Sequence, residues 1–119
     1  MDNRIDLDQA AGLLARHVQE WRKVGLVADA LTWRDIGEPW PFRIKVDRSA
    51  VIDADSVGVS AKKGGQEGRL VLYRGGWADI EHWSSSDKPT FEALGTDDPL
   101  SLDDFDRVLD HFAGLFGED

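Results

Sequence analysis

Residues 57–83 read VGVSAKKGGQEGRLVLYRGGWADIEHW, and this stretch decides the fold. It contains three short runs rich in apolar residues, which is the composition of β-strands. These runs cover 57–61, 69–74 and 77–83. Two-residue glycine pairs lie between them, at 64–65 and 75–76, and such pairs predict tight hairpin turns. Because strands joined by short turns pair antiparallel, the stretch predicts neighbouring antiparallel strands.

An amphipathic helix is predicted at each end of the chain. In the first helix, apolar residues recur at spacings of three and four and so share one face: Leu7, Ala11, Leu14, Val18 and Trp21. Asp6 or Asp8 can cap its start, and Gly25 suits its end. The second helix begins at the cap residue Ser101 and ends at Gly117. Its apolar stripe consists of Leu102, Phe105, Val108, Leu109, Phe112 and Phe116.

The remaining segments are predicted from alternation and from proline. Alternating apolar and polar residues predict a half-buried strand over 42–46. Residues 31–34 are too short to assign, 37–41 form a turn, and 84–100, with two prolines, form a long loop. The predicted class is α+β, in one domain spanning 1–119: an N-terminal helix, a four- to five-stranded antiparallel sheet and a C-terminal helix. Both helices are expected on one face of the sheet, since each has one apolar stripe to bury.

The charge of the chain is unevenly distributed. The formal net charge is −9, and residues 97–119 contribute −7 through eight acidic residues and one arginine. This distribution argues against nucleic-acid binding and favours a basic protein partner, although an acidic end can also serve solubility alone. There is no cysteine, which excludes disulfides and thiolate sites. No secretory signal and no apolar run of the ~20 residues that a membrane helix needs is found, so we expect a cytoplasmic protein without membrane contact.

No constellation of residues predicts catalysis, a metal site or a cofactor. The three histidines, His17, His82 and His111, lie in different predicted elements and lack metal-ligand spacing. The glycines from 64 to 68 lie between two strands, so they predict a hairpin turn and a glycine that permits a bulge, whereas a phosphate loop needs a following helix. The acids of the last helix are expected to pair with Arg107 on an ordinary exposed face.

The strand at 77–83 carries the candidate partner-binding site. Period-two alternation places four of its side chains on one face: Trp77, Asp79, Glu81 and Trp83. Two carboxylates are costly to bury without partners, so we expect this face to be at least partly exposed. Exposed tryptophans beside acids are typical of binding hot spots, although each tryptophan could merely shield its hairpin. Asp97 and Asp98, from the acidic region, complete the predicted partner-binding set.

The chain resembles small immunity proteins of bacterial polymorphic-toxin systems, in particular the TriTu-type immunity family. The shared features are an opening helix ending in tryptophan, the hairpin GRLVLYRGGWADIEHW at 68–83 and a closing amphipathic helix. The likeness covers roughly residues 9–83 in layout and is specific in the hairpin, where Tyr73 stands in place of the family's tryptophan. The resemblance implies a protein that binds and blocks one cognate toxin in the producing cell, and it implies no catalytic residues.

Together these observations predict a non-catalytic immunity protein whose partner is a basic toxin domain. A chaperone or adaptor for a secreted protein is the alternative. It shares the small size and acidity, but it is expected to form homodimers and to expose an apolar groove. A small ligand-binding or enzymatic domain is a third reading, and it requires a deep pocket with convergent polar groups.

Overall fold

The computed structural model describes residues 5–36, 44–84 and 88–117. In these ranges, two helices and six strands follow one another as α1 (Leu7–Lys23), β1 (Val27–Ala28), β2 (Thr32–Asp35), β3 (Ala54–Lys63), β4 (Gln66–Tyr73), β5 (Trp77–Ser84), β6 (Thr90–Leu94) and α2 (Leu102–Gly114). A short 3₁₀ helix at Arg48–Ala50 precedes β3. The α+β class is therefore confirmed, while the predicted turn at 37–41 lies outside the described residues.

Both helices begin at side chains that cap them. The Asp6 carboxylate accepts a hydrogen bond from the Asp8 backbone N–H (2.9 Å), a donor that has no partner inside α1. Ser101 and Asp104 form a capping box at α2, because each side chain accepts from the other residue's N–H. After α1, Gly25 has a φ of +86°, a left-handed conformation that glycine adopts without strain. The sequence thus predicted these three helix boundaries correctly.

All strand pairs are antiparallel, in the order β1-β3-β4-β5-β6, with β2 also paired to β3. The register aligns Val59 with Leu70 and Leu70 with Ile80, so one continuous row crosses the three central strands. The sheet has six strands where four or five were predicted, because β1 and β2 both pair with the long β3 and β6 forms within the predicted loop.

The two helices pack on the same face of the sheet, which we call the inner face. Val59, Leu70 and Ile80 point to it and are at most 1% exposed. The ring centroids of Trp21 in α1 and Phe112 in α2 lie 5.6 Å apart, so the helices share one core. The predicted placement of both helices is therefore confirmed. Each large apolar side chain buried there stabilises the fold by about 1.5–3 kcal/mol.

Gly68 allows α2 to approach β4 closely. It keeps a regular register with Ala61 and His82, so the bulge that a glycine permits does not form at this position. A Cβ atom at Gly68 would lie 2.5 Å from the Phe116 ring and 3.1 Å from the Phe112 ring. Glycine is needed here because two aromatic rings of α2 occupy the space that a side chain would fill.

The predicted loop at 84–100 contains a strand. Residues Thr90–Leu94 pair with β5 as β6, and Ser84 belongs to the end of β5. Pro89 and Pro99 lie outside β6, so neither removes a hydrogen bond from its ladder. Proline thus marks the limits of this strand and is not a sign of its absence.

The predicted strand at 42–46 is wrong in its described part. Ile44 and Val46 are 52% and 69% exposed, so the alternation does not reflect a buried face. Among the described residues, Lys45 forms an isolated bridge with Trp33 of β2.

The two predicted hairpin turns differ in length. Lys63 pairs with Gln66, so the turn between β3 and β4 has the predicted two residues. Tyr73 pairs with Trp77, so the turn between β4 and β5 has three residues and not two. Gly76, the third of them, has a φ of +92°, which is the position for glycine in a three-residue hairpin.

Candidate protein-binding face

The face of the sheet opposite the helices, which we call the outer face, carries the predicted strand residues. β5 contributes Trp77, Asp79, Glu81 and Trp83, as the alternation indicated. The register places six further side chains beside them: Glu67, Arg69, Val71 and Tyr73 from β4, and Phe91 and Ala93 from β6. In the part of the chain that the structure describes, both helices pack on the inner face, and no helix covers the outer face.

The outer face exposes aromatic side chains beside acids. Trp77 is 38% exposed and Phe91 is 69% exposed. Trp83, Asp79 and Glu81 are half-buried. None of the five is buried, so all of them are accessible to a partner. An aromatic side chain that becomes fully covered buries roughly 150–250 Å² of its surface. These rings are therefore the largest potential contacts of the outer face.

Trp77 is held in place by Tyr73. The two rings stack at a centroid distance of 4.0 Å with 14° between their planes. The Arg34 guanidinium lies 5.9 Å from the centroid of the Tyr73 ring and pairs with the Asp55 carboxylate. Burial raises the pKa of Tyr73, and the negative charge of Asp79 raises it further, so the phenol is neutral near pH 7. Trp77 is therefore exposed to solvent while its ring stacks on the neutral ring of Tyr73.

The charges of the outer face are partly balanced. Arg69 lies opposite Glu81 in the register, and Lys62 forms an exposed pair with Glu67 at 3.7 Å. Asp79 differs, because its cross-strand neighbours are Val71 and Ala93. Of the two β5 acids, Asp79 is thus the one whose direct cross-strand neighbours are apolar, and the Tyr73 hydroxyl is its polar contact.

Asp97 and Asp98 lie near the β4–β5 turn. They are exposed, in the segment between β6 and α2. The Leu100 N–H donates to the Gly76 carbonyl (2.7 Å), which fastens this segment to the β4–β5 turn. The structure therefore brings the predicted acid pair close to the turn that precedes Trp77.

The acids of α2 belong to the opposite side of the molecule. The Nε2 atom of His17 in α1 lies 2.7 Å from Asp106 Oδ1, and its Nδ1 atom lies 3.6 Å from Asp110 Oδ1. These contacts join the two helices in the layer above the inner face. An open groove of about 960 Å³ beside them has Leu13 and Leu102 among its lining residues.

Three further side-chain contacts involve His82, His111 and Arg107. His82 Nε2 lies 2.9 Å from Gln66 Oε1, and His111 Nε2 lies 3.0 Å from Glu92 Oε1. Arg107 pairs with Asp104 at 2.7 Å, whereas helical spacing predicted pairs with Asp103 and Asp110. No group of three or more metal-ligating side chains within the described ranges is arranged to hold an ion.

Sequence reasoning missed Phe91 and Tyr73 as parts of this face. Phe91 lay in a predicted loop, although the order Thr-Phe-Glu-Ala-Leu contains the aromatic and β-branched residues that strands favour. Tyr73 lay in a run with apolar residues on both faces, which does not show which face is covered.

The outer face thus combines a rigid stacked tryptophan, two further accessible aromatic rings and two accessible carboxylates on neighbouring strands. Aromatic anchors and polar groups in this arrangement suit contact with another macromolecule. Neither described helix is long and apolar enough to cross a membrane. Comparison with models of known protein families finds no match, and searches among curated proteins and solved structures find none either.

Proposed function

We propose that this chain is a non-catalytic immunity protein that binds a basic toxin domain through the outer face and so blocks it. The observation that carries the proposal is the helix-free outer face, with Trp77, Trp83 and Phe91 accessible beside Asp79 and Glu81. The resemblance of the β4–β5 hairpin to the TriTu-type immunity family supports the same role.

The aromatic residues would supply most of the affinity. Hot spots are enriched in tryptophan and lie in contacts that exclude water. Trp77 is already fixed by its stack on Tyr73, so binding costs little side-chain entropy at this position. Trp83 lies at the other end of β5, six residues further on, which corresponds to roughly 20 Å. The two tryptophans thus span a contact wide enough for a protein surface.

The acidic side chains would attract the basic toxin domain and so speed its association with this chain. A net charge of −9 attracts a cationic domain over long range and raises the association rate at low salt. Asp97 and Asp98 add to this charge near the β4–β5 turn, which precedes Trp77. Asp79 and Glu81 lie between the two tryptophans, where they can meet basic side chains of the toxin.

The test is to purify the product of the neighbouring open reading frame and to measure its binding kinetics over a series of salt concentrations. Trp83→Ala should speed dissociation and weaken binding by about 2 kcal/mol or more. The double variant Asp79→Lys/Glu81→Lys should mainly slow association and flatten its salt dependence. Glu20→Lys, on an exposed turn of α1, is the charge-changing control and should leave the dissociation rate unchanged.

Growth of cells that express the toxin gives the functional readout. Wild type should protect them, and Trp83→Ala should protect them less at equal protein level. Absence of any complex with wild type would remove the immunity proposal. Unchanged affinity in both outer-face variants would place the interface elsewhere.

The second candidate function is an adaptor for a secreted protein. The observation that favours it is the open groove between α1 and α2, with Leu13 and Leu102 in its lining and Asp103 and Asp106 at its rim. A basic amphipathic helix would suit such a groove. Sedimentation equilibrium separates the two candidates, because an adaptor is expected to be a homodimer and an immunity protein to form a one-to-one complex with its toxin.

A further inference from the structure

β6 forms one edge of the sheet, and its free backbone groups can be assigned from the preceding turn. The Gly76 N–H donates to the Tyr73 carbonyl (2.9 Å), which closes the turn and makes Tyr73 and Trp77 a hydrogen-bonded pair. Backbone direction alternates along an antiparallel strand. Odd-numbered residues of β5 therefore point their N–H and C=O groups to β4, and even-numbered residues point theirs to β6.

The register carries this alternation into β6. Even-numbered residues of the two strands lie opposite each other, His82 and Thr90 among them. The Thr90 hydroxyl also donates to the His82 carbonyl (3.2 Å), as expected if that carbonyl points to β6. Phe91 and Ala93 must then direct their N–H and C=O groups away from the sheet. No hydrogen bond found among the described residues uses these four groups.

The same alternation applies at the opposite side of the sheet, where the outward-pointing backbone groups of Trp33 have a partner. Trp33 of β2 exchanges hydrogen bonds with Lys45, at 2.7 Å from its N–H and 2.9 Å to its carbonyl. These groups point away from β3. The backbone of Lys45 therefore satisfies the outward-pointing groups of Trp33, whereas the corresponding groups of Phe91 and Ala93 on β6 have no such partner within the described chain.

We propose that β6 binds an extended segment of the basic partner by strand addition, with main-chain hydrogen bonds to Phe91 and Ala93. This inference rests on the proposed function and specifies its binding mode. Free edge strands recognise extended peptides through their backbones. Phe91 and Ala93 are both exposed, and their side chains lie on the outer face, so the edge and the outer face form one continuous surface.

The neighbouring side chains favour a cationic segment over a second copy of this chain. A second copy would bring two net charges of −9 together, which opposes pairing. A basic residue on the added strand beside Ala93 would have only a methyl group between itself and Asp79. Asp79 lies two strands from the added segment, about 9.6 Å away, a separation that a long arginine side chain and the carboxylate can bridge together.

The probe is a fluorescein-labelled octapeptide of alternating valine and arginine, titrated into the full chain by fluorescence anisotropy. Its controls are the same peptide N-methylated at every residue, which has no backbone N–H left to donate to β6, and a valine–glutamate peptide. Ala93→Pro removes one edge-facing N–H and should weaken binding about tenfold or more, since a proline is tolerated on an edge but cannot donate. Ala93→Thr retains the N–H and is the matched variant, expected to bind within about threefold of wild type.

Amide hydrogen exchange keeps the test valid if Ala93→Pro folds poorly. With peptide bound to wild type, exchange at Phe91 and Ala93 should slow while Glu92, already bonded to β5, changes little. Equal binding of the N-methylated peptide, or no binding of the arginine peptide, would overturn the proposal. Self-association of wild type that Ala93→Pro abolishes would overturn it too, because the occupant would then be a second copy.

The toxin experiment separates this inference from the proposed function. A neighbouring-gene product that binds wild type and Ala93→Pro equally would refute strand addition and leave immunity standing. Peptide binding at β6 without any toxin complex would refute the immunity proposal and leave the edge site standing.

Discussion

Replacing Gly68 by alanine tests how tightly α2 is packed on β4. The new Cβ would lie 2.5 Å from the Phe116 ring and 3.1 Å from the Phe112 ring, both closer than ordinary contact. The rings cannot retreat freely, because they are at most 1% exposed and pack edge to face at 5.4 Å. Overpacking of this kind costs about 1–3 kcal/mol, and removing a strand glycine returns about 0.5–1 kcal/mol. The free energy of unfolding should therefore fall by up to about 2.5 kcal/mol, with a midpoint of about 1 kcal/mol.

The assay is urea unfolding followed by tryptophan fluorescence. Gly12→Ala in α1 is the control, because nothing lies within 4 Å of its added Cβ, and it should stabilise by up to about 1 kcal/mol. Adding Phe116→Leu to Gly68→Ala should make the loss smaller than the sum of the two single losses, since the smaller side chain leaves room for the methyl group. A Gly68→Ala protein at least as stable as wild type would refute the close approach of α2.

Two further predictions concern stability. Phe112→Ala should lower the free energy of unfolding by about 3–5 kcal/mol, because Phe112 is fully buried against Trp21; a loss below about 1 kcal/mol in urea unfolding would contradict its place in the core. Hydrogen bonds from the Ile52 and Asp53 backbone N–H groups hold the pKa of Asp35 below its usual range. Because the pKa of Asp35 is lower in the folded state, its charge stabilises the fold above the unfolded pKa of about 3.9. This stabilisation is lost as the pH falls through the folded pKa. The stability difference between wild type and Asp35→Asn should therefore be greatest near pH 7 and shrink below about pH 4, and a pH-independent difference would refute the role of the charge.

The central hairpins and the helices could be predicted from the sequence because their signals are local. Glycines at Gly64 and Gly76 mark turns that need their conformational freedom, and Asp6 and Ser101 cap helices through contacts within three residues. The failure to predict β6 has a different cause. An edge strand is paired on one side and exposed on the other, so its five residues show little apolar alternation, and the flanking prolines resemble those of a loop.

Gly68 and the segment at 42–46 show the limit of local patterns more clearly. A glycine inside a strand indicates either a bulge or a close approach by another element, and only the packing of Phe116 decides between them. Ile44 and Val46 alternate as a half-buried strand does, yet no core lies against them. The structure at Gly68 and at 42–46 depends on tertiary contacts, which the periodicity of the sequence does not reveal.

The candidate site was predictable in part for the same reason. Alternation alone placed Trp77, Asp79, Glu81 and Trp83 on one face, because it needs only the period of a strand. It could not show that the helices cover the other face or that Phe91 joins from β6. The charge distribution grouped the acids after residue 96 together. In the structure, Asp97 and Asp98 lie near the β4–β5 turn, whereas the acids of α2 lie in the helical layer.

The most direct test of the central claim is oxidative footprinting of the tryptophans with and without the neighbouring-gene product. Trp21 and Trp33 are 4% and 5% exposed and serve as internal references that should stay unmodified in both samples. If the outer face is the interface, oxidation of Trp77 and Trp83 should fall several-fold in the complex. A complex that forms while both tryptophans are oxidised at their free rates would contradict binding through the outer face.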